Sequence, residues 1–244
     1  MLLENRTILV TFASHWAGPE ICDSLLAEGA SVVCQDPTFA DSARAEAFVA
    51  GRAYLTAIAS TAPADIVAEA LTALGHLDVL INNDAHPAIR APIESADPQD
   101  FRDGIEALMV FPFMMAAAAV PHMKARKSGK LLFLTSASAL NGLANYSMYA
   151  AARAGANGIV KSLARELGRD NIQVNAIAAN YIENPDYFPP ELIANKDAYA
   201  KMMKNIPLGR LGKPQEAAHL VAFYCSDRSD FITGNIMPFA GGWA

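Results

Sequence analysis

The sequence predicts an α/β fold: a single doubly wound domain spanning residues 1–244, built on a seven-stranded parallel sheet with helices on both faces. Three observations predict it. Short apolar runs alternate along the chain with longer segments whose apolar residues recur at helical spacing. Two of the runs, Val79–Ile81 and Leu131–Leu134, are continuously apolar, as strands covered on both sides must be. A length of 244 residues suits one such domain and is enough to bury a sizeable core.

Taken in order, the first strand is expected at Thr7–Thr11, with a strand-to-helix turn, Thr11-Phe-Ala-Ser-His-Trp-Ala-Gly18, after it. Ser31–Gln35 reads as the second strand, ending at Asp36, and Tyr54–Ile58 as the third. A periodic segment at Ala64–Leu74 leads to the fourth strand, Val79–Asn82. Gln99–Lys124 is helical, Lys130–Thr135 is the fifth strand, and Ser147–Leu167 is the next helix. Gln173–Ile177, the helix Gln215–Cys225 and a last strand near Ile236–Phe239 complete the alternation. The one irregular stretch, Ala179–Asn195, carries prolines at 185, 189 and 190 and follows the sixth strand, at the carboxyl edge where sites of such sheets collect. It reads as a functional loop.

Composition narrows the function. With 52% hydrophobic and 18% charged residues, the chain has a soluble globular make-up. A net charge of −6 argues against nucleic acid or an anionic membrane as partner. Cys22, Cys34 and Cys225 are odd in number and far apart, which suits buried thiols in a reducing compartment; no spacing links them to histidines as metal ligands. Neither a signal peptide nor an apolar run of membrane-span length is evident, so a cytoplasmic location is expected. The methionines and the Ala116–Ala119 run read as packing. His15, His76, His122 and His219 read as structural, and His86 as a border of a substrate entrance.

Chemistry concentrates in Ser136, Tyr149 and Arg153. Residues four apart share a helix face, so Arg153 lies beside Tyr149. A free tyrosine, with a pKa of ~10, is a poor base at neutral pH. A guanidinium beside it favours the phenolate, by ~1.4 kcal/mol per pKa unit, and stays charged whatever its burial. Tyr149 can then accept the proton of a substrate hydroxyl while Ser136, at a strand end, hydrogen-bonds the same oxygen.

These residues, with Asp78-Val-Leu-Ile-Asn82-Asn83, the helix from Tyr149, Val174-Asn-Ala-Ile177 and Leu208-Gly-Arg-Leu-Gly-Lys-Pro-Gln-Glu216, make nearly the whole chain resemble the short-chain dehydrogenase/reductase superfamily. The resemblance implies a Rossmann-like fold. The chain departs from those enzymes at defined places. Arg153 replaces their lysine, Phe12 and Trp16 replace two of three glycines in the first turn, and only Gly18 remains. Asn83-Asp84 stands for asparagine-alanine-glycine, Asn180-Tyr181 for proline-glycine, and Ala107 for the asparagine of the proton relay. Together the departures resemble one branch, the halohydrin dehalogenases.

That likeness implies no nicotinamide cofactor, since the side chains of Phe12 and Trp16 fill the volume of a pyrophosphate and no lysine holds a ribose. It implies ring closure of vicinal haloalcohols to epoxides with release of halide and a proton, reversible with azide, cyanide or nitrite. Ser136, Tyr149 and Arg153 would be catalytic. Asp84 has open readings: it orients Arg153, passes the proton to solvent, or only caps a turn. Trp16, Phe12, Asn180, Tyr181, Ile182 and Phe188 would line the halide pocket, with convergent backbone N–H groups in the Asn180–Ile182 turn, and Leu143 and His86 would meet substrate. Asp36 is a vestige of ribose binding or a turn former. The implied partners are small haloalcohols, epoxides and halide, with a homo-oligomer, a tetramer or dimer of dimers. The alternatives are an NAD(P)H-dependent carbonyl reductase with an atypical loop and a catalytically silent ligand-binding module.

Overall fold

The computed structural model describes residues 1–185 and 187–244. Its seven strands, β1 (Thr7–Val10), β2 (Ser31–Gln35), β3 (Leu55–Ile58), β4 (Val79–Asn82), β5 (Gly129–Ser136), β6 (Ile172–Ala179) and β7 (Ile236–Phe239), form one sheet in the order β3-β2-β1-β4-β5-β6-β7, every pair parallel. The order reverses between β1 and β4, and the crevice beyond their carboxyl ends is where such sheets bind ligands.

The chain alternates because each strand must be covered on both faces. In β1, Ile8 and Val10 face the core shared with α1 (Gly18–Ala27), which carries Ile21 and Leu25. Leu9 faces the opposite core. The strand order leaves α2 (Ser42–Val49) beside β3, with no buried residue of its own, and puts α3 (Pro63–Leu74) over the second core. α4 (Pro98–Ile105) runs through a π-helical turn at Glu106–Val110 into α5 (Phe111–Arg126), whose Met115, Ala116, Ala119 and Met123 are buried there. The short α6 (Ser138–Asn141) and the long α7 (Ser147–Leu167) follow β5; α8 (Pro190–Ala194) and α9 (Lys196–Met203) follow β6. α10 (Pro214–Cys225) packs against α1 in the first core. All three cysteines are free and buried, and burial pushes the Cys34 and Cys225 thiols up to about 12.

Two expectations need correction. The fifth and sixth strands run to Ser136 and Ala179, past the expected Thr135 and Ile177, because the β5–β6 register continues through Ser136↔Ala179. The functional serine is therefore the last strand residue. The helical run Pro98–Arg126, 29 residues, contains an 18-residue window with a mean hydropathy of 1.7 and is long and apolar enough to cross a membrane by length and composition alone. A charged start and Pro121 disguise it in sequence, while its buried face is the wall of the second core.

Candidate active site

The turn after β1 keeps the backbone of a glycine loop without its glycines. Phe12 and Trp16 have φ of 46° and 51°, in the left-handed region that costs an L-residue with a Cβ about 1–2 kcal/mol. Asn83 holds this turn by donating its side-chain N–H to the carbonyls of Phe12, at 3.0 Å, and His15, at 3.1 Å. Gly18 survives for a packing reason: a Cβ there would lie 2.3 Å from the Ala13 carbonyl oxygen. The Phe12 ring stands edge-on to Phe111, with centroids 5.4 Å apart, and Trp16 packs against the first core.

Asp36, fully buried at the end of β2, is a turn former. One carboxylate oxygen accepts the Ser14 N–H at 3.1 Å and also its hydroxyl; the other accepts the Thr38 N–H at 2.9 Å and hydroxyl at 2.7 Å. The residues present do not fit a dinucleotide: aromatic side chains project where its pyrophosphate needs bare backbone, and the carboxylate placed to grip a ribose is committed to the protein.

Ser136 ends β5 with its hydroxyl 2.8 Å from that of Ser138 and accepts the Ser138 N–H at 3.2 Å. Tyr149 and Arg153 lie one turn apart on α7. The guanidinium, 5% exposed, spends its donors in three directions: Nε to the Tyr149 hydroxyl at 3.3 Å, Nη1 to the Leu134 carbonyl at 2.9 Å, and Nη2 to the Asp84 carbonyl at 2.8 Å. Its carbon also sits 5.4 Å from the Tyr149 ring centroid. Burial works against its charge, but Tyr149, Tyr187 and Asp84 outweigh that and hold it protonated. Arg153 thus grips the backbone of Asp84 and not its carboxylate. The carboxyl itself is buried, with the Thr11 hydroxyl at 3.5 Å, and burial pushes it up to about 7 against the lowering pull of Arg153.

The loop after β6 closes the site. Asn184, 8% exposed, organises it: its amide donates to the Ile182 carbonyl at 2.7 Å and its oxygen accepts the Tyr187 N–H at 3.0 Å. The Tyr187 hydroxyl reaches across to the His86 carbonyl, 3.2 Å away. Tyr181, at a φ of 57°, packs between Phe188, tilted at a centroid distance of 6.2 Å, and Trp243, edge-on at 5.6 Å. The expected nest of three amides is mostly spent: Asn180 N–H donates to the Phe239 carbonyl at 3.1 Å, and Tyr181 N–H to the Asn180 side-chain oxygen at 2.9 Å. An asparagine side chain readily satisfies the next backbone N–H. Among the described hydrogen bonds, only the Ile182 N–H of the three donates to nothing.

Ser136, Tyr149, Arg153, Asp84, Trp16, Phe12, Asn180, Tyr181, Ile182, Phe188, His86 and Leu143 all line one cavity of about 1000 Å³. Sequence reasoning missed Ser138, Asn184, Tyr187 and Lys201, which line it too. Ser138 follows the strand-end serine directly, and Asn184-Pro185 is a turn signal inside the loop already singled out. Nothing local marks Lys201, which arrives from α9. No group of three or more His, Cys, Asp or Glu among the described residues is arranged to hold a metal ion.

The family model described as enoyl-(acyl carrier protein) reductase matches residues 17–244. The 3-oxoacyl-(acyl-carrier-protein) reductase FabG of Escherichia coli strain K12 is 31% identical over 246 residues, 99% of this chain and 98% of that protein. The cis-4-hydroxycyclohexanecarboxylate dehydrogenase of Sinomonas cyclohexanicum is 32% identical over 98% of this chain and 96% of its own. Among solved structures, one titled a dehalogenation enzyme is 48% identical, covers 100% of both chains and has a TM-score of 0.97. A halohydrin dehalogenase bound to ethyl (2S)-oxiran-2-ylacetate is 36% identical over 96% of both chains, with a TM-score of 0.92. The fold, the strand-end serine and the tyrosine one turn before a buried cation define an enzyme of the short-chain dehydrogenase/reductase type. The chain belongs to that superfamily, on its halohydrin dehalogenase branch.

Proposed function

We propose that this enzyme converts vicinal haloalcohols to epoxides without a redox cofactor. The substrate hydroxyl gives its proton to the Tyr149 phenolate, which Arg153 stabilises, while the Ser136 hydroxyl donates to the developing alkoxide. The oxygen closes on the neighbouring carbon, the C–O bond forming as the C–halogen bond breaks, and epoxide, halide and a proton leave. Ring closure is intramolecular, so the substrate's own connectivity supplies the proximity. The halide departs toward the Ile182 N–H and the Asn180 carboxamide, between Trp16, Phe12 and Tyr181. Run in reverse, azide, cyanide or nitrite would open the ring from the same place. The observation that carries this reading is the convergence of Ser136, Tyr149 and Arg153 on a cavity whose glycine-loop side is walled by Phe12 and Trp16. Measuring halide release from a vicinal bromoalcohol with no nicotinamide added tests it; absence of release overturns it.

The curated relatives favour a second reading, an NAD(P)H-dependent carbonyl reductase. Titration with NADH and NADPH discriminates, because saturable binding at micromolar cofactor would contradict the fit of the β1 turn. Asp84 belongs to the proposal as the group that positions Arg153 through its carbonyl. A homo-oligomer formed through α5 and α7 is also proposed; it would cover Phe113 and Met114, which are 45% and 47% exposed.

A further inference from the structure

The cavity is much larger than the proposed chemistry needs. Ring closure involves two carbons, a hydroxyl and a halogen, whereas about 1000 Å³ is the upper end of pockets that enclose drug-sized ligands. The remainder extends to a wall made by Leu192 of α8, Lys201 and Met202 of α9, and Asn205. That wall has a specific charge. Lys201 makes no ion pair among the described residues; Asp197, one turn before it on α9, is not its partner and does not line the cavity.

The lysines and arginines with carboxylate partners lie elsewhere, and Arg153, the other Lys or Arg lining the cavity among the described residues, directs three of its N–H donors to Tyr149 and two carbonyls. Among the described residues, the one carboxylate lining the cavity is that of Asp84, which is buried. An anion reaching this wall therefore meets an ammonium with no ion-pair partner among the described residues and a carboxamide donor, on a protein whose net charge is −6.

We propose that Lys201 and Asn205 form a tail subsite that selects haloalcohols bearing a carboxylate, that is, halogenated hydroxy acids, over their neutral counterparts. This inference rests on the dehalogenase reading and names its substrate class. The ammonium pairs with the carboxylate, Asn205 donates a hydrogen bond to it, and Leu192 and Met202 cover the carbon chain between tail and reacting centre. The pairing is partly solvated, so its effect is moderate and falls with salt.

The test uses the full chain and three probes: 4-chloro-3-hydroxybutanoate, its ethyl ester, and 1-chloro-2-propanol, with halide release as the readout. The wild type should favour the acid over the ester in kcat/KM. Lys201→Met should lower the acid-to-ester ratio about three- to tenfold, mainly through the KM of the acid. Lys201→Glu should lower it further, and 1 M salt should shrink the wild-type preference. An acid-to-ester ratio that is the same in wild type, Lys201→Met and Lys201→Glu overturns the subsite while leaving halide release from the ester and from chloropropanol, and with it the dehalogenase reading, intact. Halide release from none of the three probes removes the reading and the subsite together.

Discussion

Replacing Arg153 by lysine separates the two tasks this residue performs. The change keeps a cation on the Tyr149 face of α7, but an ammonium is a single point of donors on a flexible stem, whereas the guanidinium reaches three acceptors in three directions at 3.3, 2.9 and 2.8 Å. Lysine at this position can serve one of them. The Leu134 carbonyl, near the end of β5, and the Asp84 carbonyl, after β4, would compete for it, and at least one would be left buried without a donor. A buried polar group stranded in this way costs about 1–3 kcal/mol, so losing one predicts about 1–3 kcal/mol and losing both about 2–6 kcal/mol. For a chain of this size each kcal/mol moves the melting temperature by about 2–4 °C, and the variant should melt about 2–12 °C below the wild type if one group is stranded and about 4–24 °C if both are.

The kinetic consequence follows from the same geometry. Arg153 joins the strand ends that carry Ser136 and Asp84 to the helix that carries Tyr149, so losing the fork loosens all three. Halide release by Arg153→Lys should fall at least about tenfold near neutral pH, the order of a 1.4 kcal/mol loss. Arg153→Met provides the control: with no cation left beside Tyr149 it should lose more activity than Arg153→Lys. Thermal unfolding followed by circular dichroism, with rate profiles from pH 6 to 10, reads both effects. A lysine variant that melts with the wild type and keeps its rate profile would show that neither the fork nor its placement matters.

Three further outcomes follow. Tyr149→Phe and Ser136→Ala should each lose at least about a hundredfold in kcat, the usual worth of a proton-transferring group, with unchanged circular dichroism; near wild-type halide release by Tyr149→Phe would assign the base elsewhere. Asp84 has a folded pKa of about 7 against an ordinary 3.8, so the native state binds a proton that the unfolded chain releases between those values. Wild-type stability should therefore decline, relative to Asp84→Asn, as pH rises from 4 to 8, and parallel melting curves across that range would contradict the burial argument. Bromide should inhibit and should quench tryptophan fluorescence saturably, more tightly than chloride, at matched ionic strength; because Trp243 stands edge-on to Tyr181, its replacement as well as Trp16→Phe should remove part of the signal, and an unresponsive enzyme would mean the anion leaves elsewhere.

The parts of this molecule that sequence made legible are those whose cause is local. Val79–Asn82 and Leu131–Leu134 show their double-sided burial in composition, and the helix Ser147–Leu167 shows its length in its periodicity. The triad was readable because i and i+4 on a helix fix the mutual placement of Tyr149 and Arg153. What sequence hid depends on backbone groups and on distant segments. That Arg153 donates to the Leu134 and Asp84 carbonyls has no side-chain signature, since any residue carries a carbonyl. The Asn180–Ile182 turn was expected to offer its backbone N–H groups, and the Asn180 side-chain oxygen accepts one of them, that of Tyr181. Lys201 becomes part of the cavity only because α9, distant in sequence from the triad, joins its lining.

The three aromatics at the heart of the cavity show how a cofactor loop can become something else without the fold changing. Phe12, Trp16 and Tyr181 stand where the superfamily pattern has glycine, and all three keep a positive φ, at 46°, 51° and 57°. A side chain costs about 1–2 kcal/mol in that region, so ordinary selection for stability would be expected to restore glycine or bend the turn. Neither has happened. The turns are held from outside, the first by Asn83 and the second by the Gly212 N–H donating to the Tyr181 carbonyl at 2.9 Å. A left-handed residue aims its Cβ away from the course its neighbours take, and here that direction is into the space above the sheet. The backbone of a glycine loop thus carries rings that line the cavity. Asn5, Tyr54, Lys127, Asn145 and Asn171 also take a positive φ, but none of them lines the cavity, whereas Phe12, Trp16 and Tyr181 all do, as would be expected if these rings are retained for the site and not for the fold.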